Sequence, residues 1–151
     1  DIVKLLVDKG ANVEVVDSAG DNLTAYLIQS YSPKKVSDFE GKIKILNEKG
    51  FNIGTKQKNG NTIYHLAVAK DDVSLLKTID RFRSDINTKN KEGMTALHKA
   101  ALIAKDGTQL KYLLDSGAQK EVKTDLGETA YDLASENEYL TKNKVAIDFL
   151  K

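Results

Sequence analysis

The sequence has no cysteine, no tryptophan and only one proline, Pro33. Without cysteine, disulfides, thiolate zinc sites and cysteine nucleophiles are all excluded. A single proline leaves few fixed breaks in any helix. The net charge of +1 provides no global field that would attract nucleic acid or a membrane surface. No apolar run approaches the roughly 20 residues of a membrane-spanning helix, so the sequence predicts no membrane span.

The chain has 151 residues, of which 40 % are hydrophobic and 30 % are charged. This length is typical of a single domain, residues 1–151, and this share of apolar side chains is enough for a buried core. The composition assigns no cellular compartment, because cysteine-free chains occur on both sides of a membrane.

One eight-residue motif recurs along the chain. Its copies are Gly-Asn-Thr-Ile-Tyr-His-Leu-Ala at 60–67, Gly-Met-Thr-Ala-Leu-His-Lys-Ala at 93–100 and Gly-Glu-Thr-Ala-Tyr-Asp-Leu-Ala at 127–134. Their first glycines are 33 and 34 residues apart, and a degraded copy at 20–27 begins 40 residues before the first of them. A fixed period of this length predicts stacked helical repeats.

A second motif keeps the same phase, because a predicted helix end lies ten residues before each of these glycines, at Gly10, Gly50, Arg83 and Gly117. Glycine suits the left-handed residue just past a helix. Gly60, Gly93 and Gly127 suit tight turns, and the threonines two residues later can cap the next helix: Thr62, Thr95 and Thr129. Each unit is therefore predicted to be helix, turn, helix and an extended loop.

The pattern resembles the ankyrin repeat, which has a 33-residue period and a Thr-Pro-Leu-His-x-Ala motif. The resemblance implies an all-α solenoid of helix-turn-helix units joined by extended, hairpin-like loops. We expect five units, the first and last incomplete and the last a C-terminal cap: 1–16, 17–56, 57–89, 90–123 and 124–151. Three positions depart from the family pattern. No copy has the proline, Arg83 replaces a glycine, and Lys120 occupies an apolar loop position.

The unit at 17–56 carries seven extra residues, around 31–37, between its two predicted helices. We predict that they form a surface loop at the end of the molecule opposite the loop tips, so that its deletion leaves binding at the tips intact. Ser37 and Glu40 have the spacing of a capping box that would open the second helix.

The only histidines, His65 and His98, occupy the same repeat position. On adjacent units they would lie roughly 10 Å apart, too far to share one metal ion. The resemblance implies that they hydrogen-bond loop backbone instead. Acidic residues at predicted helix starts and exposed faces are expected to be solvated rather than catalytic: Asp71, Asp72, Asp106, Glu136 and Glu138. We therefore predict no catalytic residue, metal, cofactor or small-molecule substrate.

Ankyrin proteins bind partners through loop tips and the adjoining inner helices, which implies a protein partner for this chain. The matching positions are Val16, Ser18, Asp21, Lys56, Lys58, Asn61, Lys89, Lys91, Met94, Lys123, Asp125 and Glu128. Two lysine rows among them favour an acidic partner, although solvation alone also explains exposed lysines. The alternative function is a structural spacer in a longer array. Nucleic acid is disfavoured because these loops lack aromatic residues.

The two ends of the chain differ. Residues 2–9 align with the second helix of a repeat and are largely apolar, which predicts further units upstream or self-association through this helix. At the other end, 135–151 is predicted to be a polar cap. Its polar residues are Glu136, Asn137, Glu138, Lys142, Asn143, Lys144 and Asp148.

Overall fold

The computed structural model describes residues 9, 10 and 12, residues 16–82 and residues 84–151. In these ranges the regular structure is helical. The helices are α1 (Leu23–Ser30), α2 (Val36–Glu48), α3 (Ile63–Val68), α4 (Val73–Asp80), α5 (Ala96–Ile103), α6 (Thr108–Asp115), α7 (Ala130–Glu136) and α8 (Glu138–Lys142), with 3₁₀ turns at Pro33–Lys35 and Asp148–Leu150. Residues 2–8 of the predicted 2–9 helix and the helix end predicted at Arg83 lie outside the described residues.

The helices pack in consecutive pairs, and the pairs stack into a solenoid. The first helix of each pair, α1, α3, α5 or α7, contacts its neighbours in this series, so these four helices form an inner layer. Fully buried alanines at equivalent positions, Ala67, Ala100 and Ala134, allow that close approach. The predicted all-α repeat fold is confirmed. In the described part of the chain, no helix combines the length and apolarity needed to cross a membrane.

Three inner helices begin in the same way. Thr62, Thr95 and Thr129 are the N-cap residues of α3, α5 and α7. The side chain three residues later accepts a hydrogen bond from the threonine backbone N–H, at 3.0 Å for His65 Nδ1 and 2.8 Å for Asp132 Oδ2. This is the geometry of a capping box, with histidine or aspartate in place of the usual glutamate. It satisfies backbone groups that a helix start would otherwise leave unpaired.

The loops between pairs are hairpin-like and stack tip on tip. Each is closed by two backbone hydrogen bonds. In one tip Gln57 N donates to Asn61 O and Gly60 N donates to Gln57 O, both at 2.8 Å. Successive tips are also joined, since Lys91 N donates to Asn59 O at 3.0 Å. The loops therefore form one continuous hydrogen-bonded edge.

The insertion around 31–37 lies at the surface as predicted, but it forms a 3₁₀ turn rather than an irregular loop. Tyr31 packs edge-on against Phe39, with ring centroids 5.2 Å apart, and Ser32 caps the 3₁₀ turn Pro33–Lys35 that runs directly into α2. Because α2 begins at Val36, Ser37 lies inside the helix and the predicted capping box is wrong. Proline just after a capping serine favours a helical start, so the helix begins earlier than the Ser37 motif implied.

Tyr31 provides a direct test of this packing. Tyr31→Ala is expected to lower the free energy of unfolding by about 2 kcal/mol, since it removes a half-buried ring. The Tyr31 hydroxyl is buried without a hydrogen-bond partner in the described part of the chain. Tyr31→Phe is therefore expected to leave stability unchanged or to raise it by about 1 kcal/mol. Urea denaturation of both variants measures this, and a large loss in Tyr31→Phe would contradict the packing.

Six of the seven polar residues predicted for the C-terminal cap are exposed. They are Glu136, Glu138, Lys142, Asn143, Lys144 and Asp148. Asn137, predicted as part of that polar surface, is instead buried. Its Nδ2 donates to Ala101 O at 2.9 Å and Ala104 O at 3.0 Å, while its Oδ1 caps α8. Asn137 is buried because the end of α5 needs donors for its unpaired carbonyls.

Candidate functional site

The two histidines use both ring nitrogens inside the fold. His65 Nδ1 accepts from the Thr62 N–H, so Nε2 carries the proton and donates to Met94 O at 2.7 Å. His98 repeats this with Val122 O at 2.9 Å. Burial lowers the pKa of both imidazoles, because it disfavours the charged form. Each neutral ring ties an inner helix to the loop that follows its own helix pair.

Two of the acidic side chains noted in the sequence accept hydrogen bonds from backbone N–H groups at helix starts. Asp72 Oδ1 accepts from Ser74 N at 2.8 Å, and Asp106 Oδ1 accepts from Thr108 N at 2.8 Å. Over the described residues, no three His, Asp or Glu side chains are grouped so that they would hold a metal ion.

The predicted lysines lie on the exposed tips but do not share one environment. Lys89 Nζ donates to the backbone carbonyl of Lys123 at 2.7 Å, which joins its loop to the next one. Lys58 packs over Gly20 of the preceding tip. Lys56 lines a small cleft with Val16, on the side of the loop near Gly50 and Phe51.

Asn61, Lys91 and Met94 come together on the inner side of the tips. They line an open depression of about 450 Å³, here called the central groove, which reaches from the tips to α5. Its other lining residues are Asn59, Asn90, Glu92, Lys99, Leu102 and Ile103. The central groove therefore combines two lysines with apolar helix residues.

Met94 also faces a second depression of about 600 Å³, here called the acidic groove, together with Asp125 and Glu128. Its other lining residues are Glu92, Leu102, Thr124, Leu126, Leu133 and Glu136. Ser18 and Asp21, at the first tip, line neither groove.

Sequence reasoning missed the apolar part of this surface. Leu102 and Ile103 are 46 % and 42 % exposed at the end of α5, and Leu126 is 86 % exposed at a loop tip. The signal for Leu126 was available, since the equivalent tip positions hold Asn59 and Glu92. Leu102 and Ile103 gave no such signal, because an apolar pair on a helix is usually part of the core.

A family model described as ankyrin repeats (3 copies) matches residues 65–146, more than half of the chain. The chain belongs to the ankyrin repeat family. Ankyrin repeats are in general protein–protein interaction modules.

Individual ankyrin relatives resemble this chain in part. Protein phosphatase 1 regulatory subunit 12A of Mus musculus is 35 % identical over 80 residues, which are 53 % of this chain and 8 % of that protein. The ankyrin repeat protein FPV031 of Fowlpox virus (strain NVSL) is 30 % identical over 140 residues, 89 % of this chain and 39 % of that protein. Ankyrin repeat protein L371 of Acanthamoeba polyphaga mimivirus is 25 % identical over 154 residues, 80 % of this chain and 20 % of that protein. The chain thus spans less than half the length of each relative.

Proposed function

We propose that this chain is a non-catalytic module that binds a protein partner through its loop tips and inner helices. The observation that carries the proposal is the joined edge of tips, with two grooves running from it onto α5 and α7. Such a surface is held in place before a partner arrives, which lowers the entropy cost of binding. No cofactor is needed for this function.

The lysines give the tips a local positive charge that the whole chain lacks. Lys56, Lys89 and Lys123 form one row, and Lys58 and Lys91 form a second that ends at Asp125. The five lysines and Asp125 are all exposed. Positive charges spaced along an edge accelerate the encounter with an acidic protein segment. We propose that the tips contact acidic residues of the partner.

Charge reversal at the tips tests this role. The variant Lys56→Glu, Lys58→Glu, Lys89→Glu and Lys91→Glu is expected to weaken binding of acidic peptides selected on the wild-type chain from a displayed random library by at least about tenfold, since close charge pairs contribute about 1.5 kcal/mol or more. Its melting temperature should change little, because surface substitutions usually cost within about 0.5 kcal/mol each. Fluorescence anisotropy gives the affinities and circular dichroism the melting temperature.

The matched control reverses four exposed lysines away from the tips: Lys34, Lys35, Lys44 and Lys77. It changes the net charge by the same amount and should bind like the wild type. Equal affinity of both variants would show that the tip lysines only solvate the loops. If the selection on the wild-type chain enriches no peptide at all, the spacer function is favoured instead.

A further inference from the structure

The acidic groove has an apolar floor that is unusual for an exposed surface. Leu126, on the tip, is 86 % exposed and Leu102, on α5, is 46 % exposed, and they line the same depression as Met94 and Leu133. Single exposed leucines are ordinary, whereas several apolar side chains that line one groove offer a surface on which another molecule can pack.

The rim of the acidic groove carries charge of one sign. Glu92 and Asp125 stand on the tips, Glu128 lies at the start of the next unit, and Glu136 ends α7. None of the groove's lining residues is a lysine, arginine or histidine. Over residues 16–82 and 84–151, none of these four carboxylates forms an ion pair. Their charge is therefore available to a molecule that enters the groove.

Side-chain hydrogen bonds hold the backbone of the two loops that border the acidic groove. Asn90 Oδ1 accepts from Glu92 N and Met94 N, each at 3.0 Å. Thr124 Oγ1 accepts from Leu126 N and Glu128 N, each at 3.3 Å. The turns that present Leu126 and the rim acids are thus held by side-chain hydrogen bonds within their own loops, so little order is lost when the groove is filled.

We infer that the acidic groove binds a segment of the partner protein in which lysine or arginine side chains flank apolar ones. The apolar side chains pack on Leu102 and Leu126, and the cationic groups face the rim carboxylates. A purely cationic segment would leave the leucines exposed, and a purely apolar one would bury carboxylates without a counter-charge, which is costly. The inference rests on the proposed protein-binding function and specifies the chemistry of its partner. The central groove beside it is lined by Lys91 and Lys99 together with Glu92, so its net charge is positive.

Three synthetic peptides of equal length test the inference: one of lysine and leucine, one in which glutamate replaces lysine, and one in which serine replaces leucine. Fluorescence anisotropy should show the lysine–leucine peptide binding at least about tenfold more tightly than either of the others. Amide chemical shifts of the labelled chain should move at Met94, Leu102 and Leu126 when this peptide is added. Binding should weaken as salt is raised.

Variants then locate the binding. Leu126→Ser, at a side chain that contributes almost nothing to the core, and the pair Glu92→Lys with Glu136→Lys should each reduce affinity for the lysine–leucine peptide at least about fivefold. The matched control, Glu48→Lys with Glu121→Lys, reverses two exposed glutamates that do not line the groove and should leave affinity unchanged. Circular dichroism melting checks that every variant is folded.

Three results would overturn the inference. Equal loss of affinity in the groove and control variants would mean that the peptide binds by net charge alone. Preference for the glutamate–leucine peptide, lost in the Lys56, Lys58, Lys89 and Lys91 reversal, would also overturn it while leaving the proposed function intact. If none of the peptides binds and the random library also enriches nothing, the proposed function fails together with the inference.

Discussion

Gly93→Ala is expected to lower the free energy of unfolding by about 3 kcal/mol, the sum of a left-handed backbone penalty and a steric one. Gly93 has a φ of +71°, a conformation that a Cβ disfavours. A Cβ at this position would lie 2.6 Å from Asp125 N and 2.2 Å from Asp125 Oδ1. The side chain can rotate away, but the backbone nitrogen belongs to the next tip. The substitution must therefore push two stacked tips apart.

Gly127→Ala is the matched control, because Gly127 lies one repeat further on. Its φ is +84°, yet nothing lies within 4 Å of the position that a Cβ would take. It should cost only the backbone penalty, about 1 to 2 kcal/mol. Urea denaturation of both variants measures the difference, which isolates the contact between tips. Equal losses at Gly93 and Gly127 would show that tip stacking adds no stability.

The repeat fold could be predicted because its requirements are local and recur in register. Gly60 and Gly93 are favoured by the left-handed turns in which they lie. The threonine two residues after each glycine caps the helix that begins there. Each motif therefore indicates its own structure without knowledge of the rest of the chain. Two such motifs in one phase fix the helix positions and the stacking direction.

Several hydrogen bonds that join helices within and between units could not be predicted from the sequence, because their donors and acceptors follow no repeating pattern. The hydroxyl groups of Tyr64, Tyr112 and Ser116 all donate to the carboxylate of Asp80, which ties three helices together. In the degraded copy, Ala25 stands where the histidine would be, and Gln57 from the next loop bonds Asn22 instead. No period predicts either arrangement.

The candidate surface was predicted in outline but not in detail. Most of the predicted tip positions are exposed or half-buried, but Asn61 is buried, and Lys56 and Lys91 line different depressions. Lys56 precedes the turn that begins at Gln57, whereas Lys91 lies inside the equivalent turn after Asn90, so the two side chains leave the loop in different directions. Repeat phase gives the position of a residue in its unit, and the turn decides where its side chain goes.

Removal of the two histidines is expected to produce the other large loss of stability. His65→Ala and His98→Ala should each lower the free energy of unfolding by about 1 to 3 kcal/mol, because each leaves a buried threonine N–H and a loop carbonyl without a partner. Both side chains are fully buried, so a cavity adds to the loss. His98→Asn separates the two contacts, since its amide oxygen can still accept from the Thr95 N–H. It should recover part of the stability lost in His98→Ala.

The same histidines predict how stability depends on pH. Burial lowers their folded-state pKa below the ordinary value of 6.5, so the unfolded chain takes up protons first as the pH falls. Their contribution is fully present above pH 6.5 and is lost as the pH falls from there towards the folded-state pKa. Denaturation of the wild type at pH 7.5 and 5.5 should therefore show a loss that the double alanine variant lacks. Stability that rises on acidification over this range, or an equal slope in the double variant, would contradict neutral histidines that bond the loops.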